Sequence, residues 1–258
     1  MPATELRTLI ETQVEERLGG RFPAPLGWRQ KTASQTAPTG IAEVDALTGG
    51  LPRGALTEVS GPGSSGRTAL LLSLLAGFTR RQELCALVDA GDCFDPASAE
   101  AAGVELGRLL WVRCEKAVAG GQWSVVSKNK KSLDCVAQAL RAADLLLQAG
   151  GFGLVALDLG DVPPAAARRV SLTSWFRFRR AVEETPAALL LLTQEALTGT
   201  CAALTLQLAA SAPAESPEWP ELPAHARLLG GFSVAVEVAR AALARPGSGM
   251  RTAFTADL

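Results

Sequence analysis

Between residues 61 and 68 the chain reads GPGSSGRT, which nearly spells the phosphate-binding pattern G-x-x-x-x-G-K-[ST]. Gly61, Gly66 and Thr68 fit the pattern, and Arg67 stands where it has lysine. The flanks restrict the fold. ALTEVSG, residues 55–61, reads as a short strand entering the loop, and TALLLSLLAGF, residues 68–78, as the helix leaving it. Strand, loop and helix in that order are what the pattern requires. Glycines let consecutive backbone N–H groups curl around phosphate oxygens, and the helix N-terminus adds partial positive charge. The nucleotide-binding candidates are therefore Gly61, Ser64, Ser65, Gly66, Arg67 and Thr68. The alternative is an ordinary Gly/Ser turn ahead of a helix.

Beyond the loop, apolar strand candidates alternate with helical patterns, which predicts an α/β fold with a largely parallel central sheet. Residues 83–91, 108–114, 152–160 and 188–194 read as strands, and 132–150 and 172–185 as helices among them. CAALTLQLA, FSVAVEVARAA and MRTAFTA read as extended, antiparallel closing strands. The Pro-rich insert at 211–231 holds Trp219 among acidic residues. It reads as a flexible exposed loop, or as a segment that docks into a partner's groove.

Leu6, Leu9, Ile10, Val14 and Leu18 recur at helical spacing among charged residues, and Gly19 and Gly20 follow. The expected organisation is an amphipathic helix within residues 1–20, a linker at 21–38 and a core domain at 39–258. A helix this short is marginal alone, so its apolar stripe needs either its own core or another chain.

Composition narrows the function classes. At 258 residues the chain can hold one large domain with a real core. A net charge of −1 exerts no global pull on nucleic acid, so any DNA contact requires a local basic patch. The first twenty residues are charged throughout, and no apolar run could span a bilayer, so the expectation is a cytoplasmic protein without a membrane partner. Five scattered cysteines without a C-x-x-C pair suggest reduced thiols, not a disulfide or zinc framework. A single histidine, His225, argues against a His-based metal site or a Ser-His-Asp triad.

Residues 39–76, TGIAEVDALTGGLPRGALTEVSGPGSSGRTALLLSLLA, resemble the N-terminal core of RecA-type recombinases along their whole length. The similarity continues through 85–96 and 101–111. Asp158 in LVALDL falls where the Walker B aspartate ends its strand, and Gln194 in LLLLTQ matches the nucleotide-sensing glutamine. The resemblance implies a RecA-like P-loop NTPase core, mostly parallel with antiparallel closing strands, preceded by the N-terminal amphipathic helix. It implies ATP with Mg²⁺, with Thr68 on the metal and Asp158 one layer further out. RecA-type proteins use a similar helix between neighbours, which makes Leu6, Leu9 and Ile10 the implied contacts for self-association or a partner.

The departures bear on function. Arg67 keeps the charge of the missing lysine but is larger, planar and forked. Gly91 stands where the family carries its water-activating glutamate, so Asp92 or an unrecognised carboxylate would have to substitute. The segments that carry DNA-binding loops are short here, at 159–171 and 195–203, and Ser98 replaces the adenine-stacking tyrosine. The large C-terminal domain of RecA is also expected to be missing.

A short, loop-poor relative with a degenerate ATP site resembles the ImuA-type group, bacterial accessory proteins of damage-inducible mutagenesis. The implied role is an adaptor in SOS-linked translesion synthesis. ATP and Mg²⁺ would be bound weakly or not at all, and no residue is assigned as catalytic. The alternative is a DNA-dependent ATPase of the recombinase type that binds single-stranded DNA.

Two charged clusters remain. Arg168, Arg169, Arg177, Arg179 and Arg180 interleave with Trp175, Phe176 and Phe178. They form either an amphipathic helix with Trp175, Phe178 and Val182 turned to the core, or a patch that contacts DNA phosphates or a partner. KNKK at 128–131 reads as a solvated turn or as a site for an acidic partner.

Overall fold

Each long apolar run carries side chains that are buried on both sides of the backbone, and this places the runs inside a sheet covered on two faces. The computed structural model describes residues 35–114, 128–183, 185–211, 231–241 and 250–257. The N-terminal helix expected within 1–20 and the insert at 211–231, apart from Ser211 and Gly231, lie outside the described residues.

From Gln35 onward the chain forms one unit. Part of the stretch read as linker, β1 (Thr36–Ala37), pairs antiparallel with β2 (Leu51–Pro52) around α1 (Ala42–Thr48). Then follow β3 (Ala55–Ser60), α2 (Arg67–Arg80), β4 (Cys85–Asp89), α3 (Pro96–Ala101), β5 (Leu109–Arg113), α4 (Lys128–Ala149) and β6 (Leu154–Asp158). The chain continues through α5 (Pro164–Ala167), α6 (Leu172–Glu183), β7 (Ala188–Thr193), β8 (Leu204–Ala210), β9 (Gly231–Ala241) and β10 (Arg251–Asp257). The KNKK run is not a turn: Lys128 to Lys131 open α4.

The eight-stranded sheet has the order β10-β9-β8-β3-β7-β6-β4-β5. Strands β8 through β5 are mutually parallel, and β9 and β10 run antiparallel at one edge. Alternation along each strand divides the core. In β6, Leu154 and Ala156 join Leu70, Leu74, Leu75 and Phe78 of α2 on one face. Val155 and Leu157 join Val136, Ala139 and Ala143 of α4 and Trp175, Phe178 and Val182 of α6 on the other.

The strand CAALTLQLA corrects one expectation. Its β8 pairs parallel with β3 and antiparallel only with β9. Residues 194–203 therefore run as an extended crossover, shorter than the usual helical one. A buried carboxylate within β3 pins it. Glu58 accepts the N–H groups of Leu197 and Thr198, at 2.6 and 3.3 Å, and the Thr198 hydroxyl at 2.6 Å. A glutamine at position 58 would turn an NH₂ group toward these donors. Glu58→Gln is expected to cost about 2 kcal/mol, read as a lower denaturation midpoint with an unchanged slope.

None of the five cysteines is in a disulfide. Burial pushes the thiols of Cys85 and Cys114 up, to about 12 and about 11, so neither is a nucleophile at neutral pH.

Candidate functional site

The loop between β3 and α2 sits at the carboxyl ends of the parallel strands, where ligand crevices of such sheets lie. Ser64 and Gly66 adopt left-handed backbone conformations, with φ of 59° and 88°. A Cβ on Gly66 would stand 2.5 Å from a methyl of Val234, so glycine is required there twice over. A Cβ on Gly61 would strike the carbonyl of Leu208 and stand 2.5 Å from Ser65 Oγ. Among the described residues, the N–H groups of residues 63–67 have no backbone acceptor. Ser65 Oγ is also buried without a partner, the residue being 1 % exposed. The curl that the motif requires is preformed and lined with unused donors.

Arg67 does not project into solvent. Its Nη2 donates to the carbonyl of Gly160 at 3.3 Å, across the end of β7. Gln194 Nε2 donates to the same carbonyl at 2.9 Å and to that of Val162 at 3.3 Å. The Gly160 N–H in turn donates to Asp158 Oδ1 at 2.7 Å. Arg67, Gln194 and Asp158, which sequence reasoning placed together, thus converge on one residue, Gly160. A side chain at 160 would collide with the Arg67 guanidinium and approach Asp158 Oδ1 to 2.9 Å. The Nε and Nη1 groups of Arg67 are buried without acceptors.

Burial raises the Asp158 carboxyl to about 6. That value is the balance of burial, which raises it most, the Gly160 N–H, which lowers it, the charges of Asp89 and Asp161, which raise it, and Arg67, which lowers it. A carboxyl raised above its unfolded value near 4 takes up a proton on folding. Its contribution to stability is therefore fullest below about pH 4 and is lost as pH rises through about 6. Asp158→Asn, which keeps an oxygen for the Gly160 N–H, is expected to raise Tm at pH 7.5 and to flatten that slope. Thermal melts between pH 4 and 8 measure both effects.

On the far side of β6, Asp89 ends β4 in full burial. Its carboxylate accepts the N–H groups of Gly91, Cys93 and Phe94 at 3.1, 2.9 and 2.9 Å and Trp111 Nε1 at 3.3 Å. It holds the β4 exit turn. Asp92, weighed as a replacement base, has φ 55° and forms a two-pronged pair with Arg113 at 2.7 and 3.0 Å. That pair draws its carboxylate to the β5 edge. The carboxylate beside Gly91 is instead Asp161: a Cβ on Gly91 would lie 2.9 Å from Asp161 Cβ. Neither Asp161 nor the bracing roles of Glu58 and Asp89 was read from the sequence. An acidic residue ending a strand whose partner ends in Asp158 was the available signal for Asp89.

Ser98 serves α3, closing onto its cap Asp95 at 2.5 Å. Of the arginine cluster, Arg168 pairs with Glu195, Arg177 with Asp144 and Arg179 with Glu183. Arg169 and Arg180 are exposed and have no side-chain partner among the described residues. Trp175, Phe178 and Val182 face the core, whereas Phe176 is 48 % exposed beside the arginines.

The chain is similar to known proteins. A family model of the RecA N-terminal domain matches residues 6–161, more than half of the chain. The chain belongs to the RecA N-terminal domain family. Protein RecA of Leifsonia xyli subsp. xyli is 31% identical over 161 residues, 61% of this chain and 40% of that protein. Protein RecA of Salinispora tropica is 33% identical over 152 residues, 58% of this chain and 38% of that protein. The chain thus spans about two fifths of the length of these RecA relatives. The crystal structure of the RadB recombinase superposes with a TM-score of 0.56, covering 85% of this chain and 95% of that one. At 17% identity it attests the RecA-like fold alone.

Within that family, ATP and magnesium are the groups to test against the residues present. The unused donors of 63–67, Ser65 Oγ and the two open nitrogens of Arg67 suit phosphate oxygens. They do not suit the metal. A divalent ion there would be repelled by the Arg67 guanidinium, and one oxygen of Asp158, Oδ1, accepts a backbone N–H. The described residues hold no group of three or more His, Cys, Asp or Glu that could bind a metal ion. No described helix is long and apolar enough to cross a membrane.

Proposed function

We propose that this chain is a RecA-like accessory protein of DNA repair and SOS mutagenesis, an adaptor in translesion synthesis that turns over ATP slowly or not at all. The observation that carries this reading is the Gly91 position. It has no carboxylate, and a side chain there would meet Asp161. Arg67 supports it by spending one prong on a backbone carbonyl. Hydrolysis needs a placed water and a neutralised phosphate, and neither provision matches the family's pattern. Gly61, Ser64, Ser65, Gly66 and Thr68 serve as a nucleotide-holding element that fixes shape.

The partner contacts belong to the N-terminal stripe Leu6, Leu9 and Ile10 and to the exposed arginines Arg169, just before α6, and Arg180, on it. Co-purification with a Y-family polymerase homologue and an error-prone replicative-type polymerase tests the adaptor role. Leu9→Glu should abolish the association, and retention of the complex by this variant would remove the helix from the interface. If these arginines meet DNA, Arg169→Ala with Arg180→Ala should weaken single-strand binding and reduce its salt slope by about 1.4, two phosphate contacts' worth.

One observation favours a second reading, the DNA-dependent ATPase. Asp161 lies over the vacant Gly91 position and could orient the attacking water. In that case Asp161→Asn would abolish a DNA-stimulated release of phosphate that the wild-type chain displays.

A further inference from the structure

We propose that the loop binds the phosphates of a nucleoside diphosphate without a divalent metal, the Arg67 guanidinium supplying from the protein the charge that magnesium would bring. This rests on the reading of residues 61–68 as a nucleotide cradle and names its ligand. A lysine at position 67 would be a compact charge on a flexible stem, free to follow a metal–phosphate complex. Arg67 is anchored instead. Its Nη2 is fixed on the Gly160 carbonyl, a second bond from Gln194 to the same oxygen stiffens that anchor, and Gly160 admits the guanidinium because it has no side chain.

The buried side-chain groups of the loop that lack a partner can all donate. Nε and Nη1 of a permanent cation are buried with nothing to receive them, a costly state that an anion would relieve. Ser65 Oγ, 1 % exposed, is buried in the same loop and equally unpartnered. The N–H groups of 63–67 complete the set. A magnesium ion wants oxygen ligands in octahedral array and would be repelled by the guanidinium at close range.

The length of the phosphate chain follows from what lies beyond Arg67. Asp158 and Asp89 stand side by side in the sheet register, and Asp161 lies close enough to act on Asp158. A third phosphate extending toward β6 without a metal would meet these carboxylates. Two phosphates end at the guanidinium and avoid them.

The experiment is a titration of the full-length protein with fluorescently labelled ADP in EDTA and in magnesium buffer. The expected result is the same Kd in both, within about twofold, with ATP in EDTA about tenfold weaker than ADP. Arg67→Lys should make ADP binding magnesium-dependent by about tenfold. The wild-type comparison needs no variant and stands if Arg67→Lys does not fold. Wild-type ADP affinity that falls about tenfold in EDTA overturns the metal-free site while leaving the cradle in place. ATP bound in EDTA as tightly as ADP overturns the diphosphate assignment. No ADP binding in either buffer by folded protein removes the cradle reading, and this inference with it.

Discussion

Trp175→Ala is expected to lower stability by about 4 kcal/mol, a fall of roughly 12 °C in Tm for a chain of this size. Trp175 is 1 % exposed in the face formed by α4, α6 and the sheet. Its ring meets Phe178 edge-on, with centroids 6.0 Å apart and planes at 69°. Alanine removes the largest fully buried side chain of that face, and close-packed neighbours refill such a void only in part. The adjacent Phe176 sets the control. It is half-exposed on the opposite face of the same helix, so Phe176→Ala should change stability by less than about 1 kcal/mol. If the α6 surface is a contact face, Phe176→Ala changes binding with little change in melting. Equal destabilisation by the two substitutions would mean that α6 is packed differently from the arrangement described.

Gly61→Ala is expected to cost about 3 kcal/mol and to abolish nucleotide binding together. The added methyl would strike the Leu208 carbonyl of β8 and press on Ser65 Oγ, and both neighbours are fixed, one by the sheet and one by burial. The loop can yield only by lifting away from β8, which would disperse the N–H groups of 63–67. Chemical denaturation gives the stability term, and labelled-nucleotide titration of the folded fraction gives the binding term. Gly63→Ala is the control, because its Cβ would meet nothing within 4 Å.

Most of the scaffold was legible because the signals were local. GPGSSGRT between a strand and a helix fixed the loop, and runs such as ALLLLT marked strands buried on both faces. The α6 helix followed from the spacing of Trp175, Phe178 and Val182, all of which are buried. The direction of β8 was not legible. The short link after Gln194 suggests a hairpin, whereas the non-local capture of Leu197 and Thr198 by Glu58 holds the parallel return in place. The site shows the same division. Arg67, Asp158 and Gln194 were each visible in a motif, but their meeting at Gly160 depends on the end of β7 lying between them. Asp161 escaped notice because its importance lies in its nearness to Gly91, seventy positions earlier in the chain.

The measurement closest to the centre of this account is steady-state phosphate release from ATP by the purified full-length chain, with and without single-stranded DNA. An empty Gly91 position and an anchored Arg67 predict a trace rate that DNA leaves unchanged. A rise of about tenfold or more on adding DNA would contradict it, since that would require a working base and a mobile charge in the crevice.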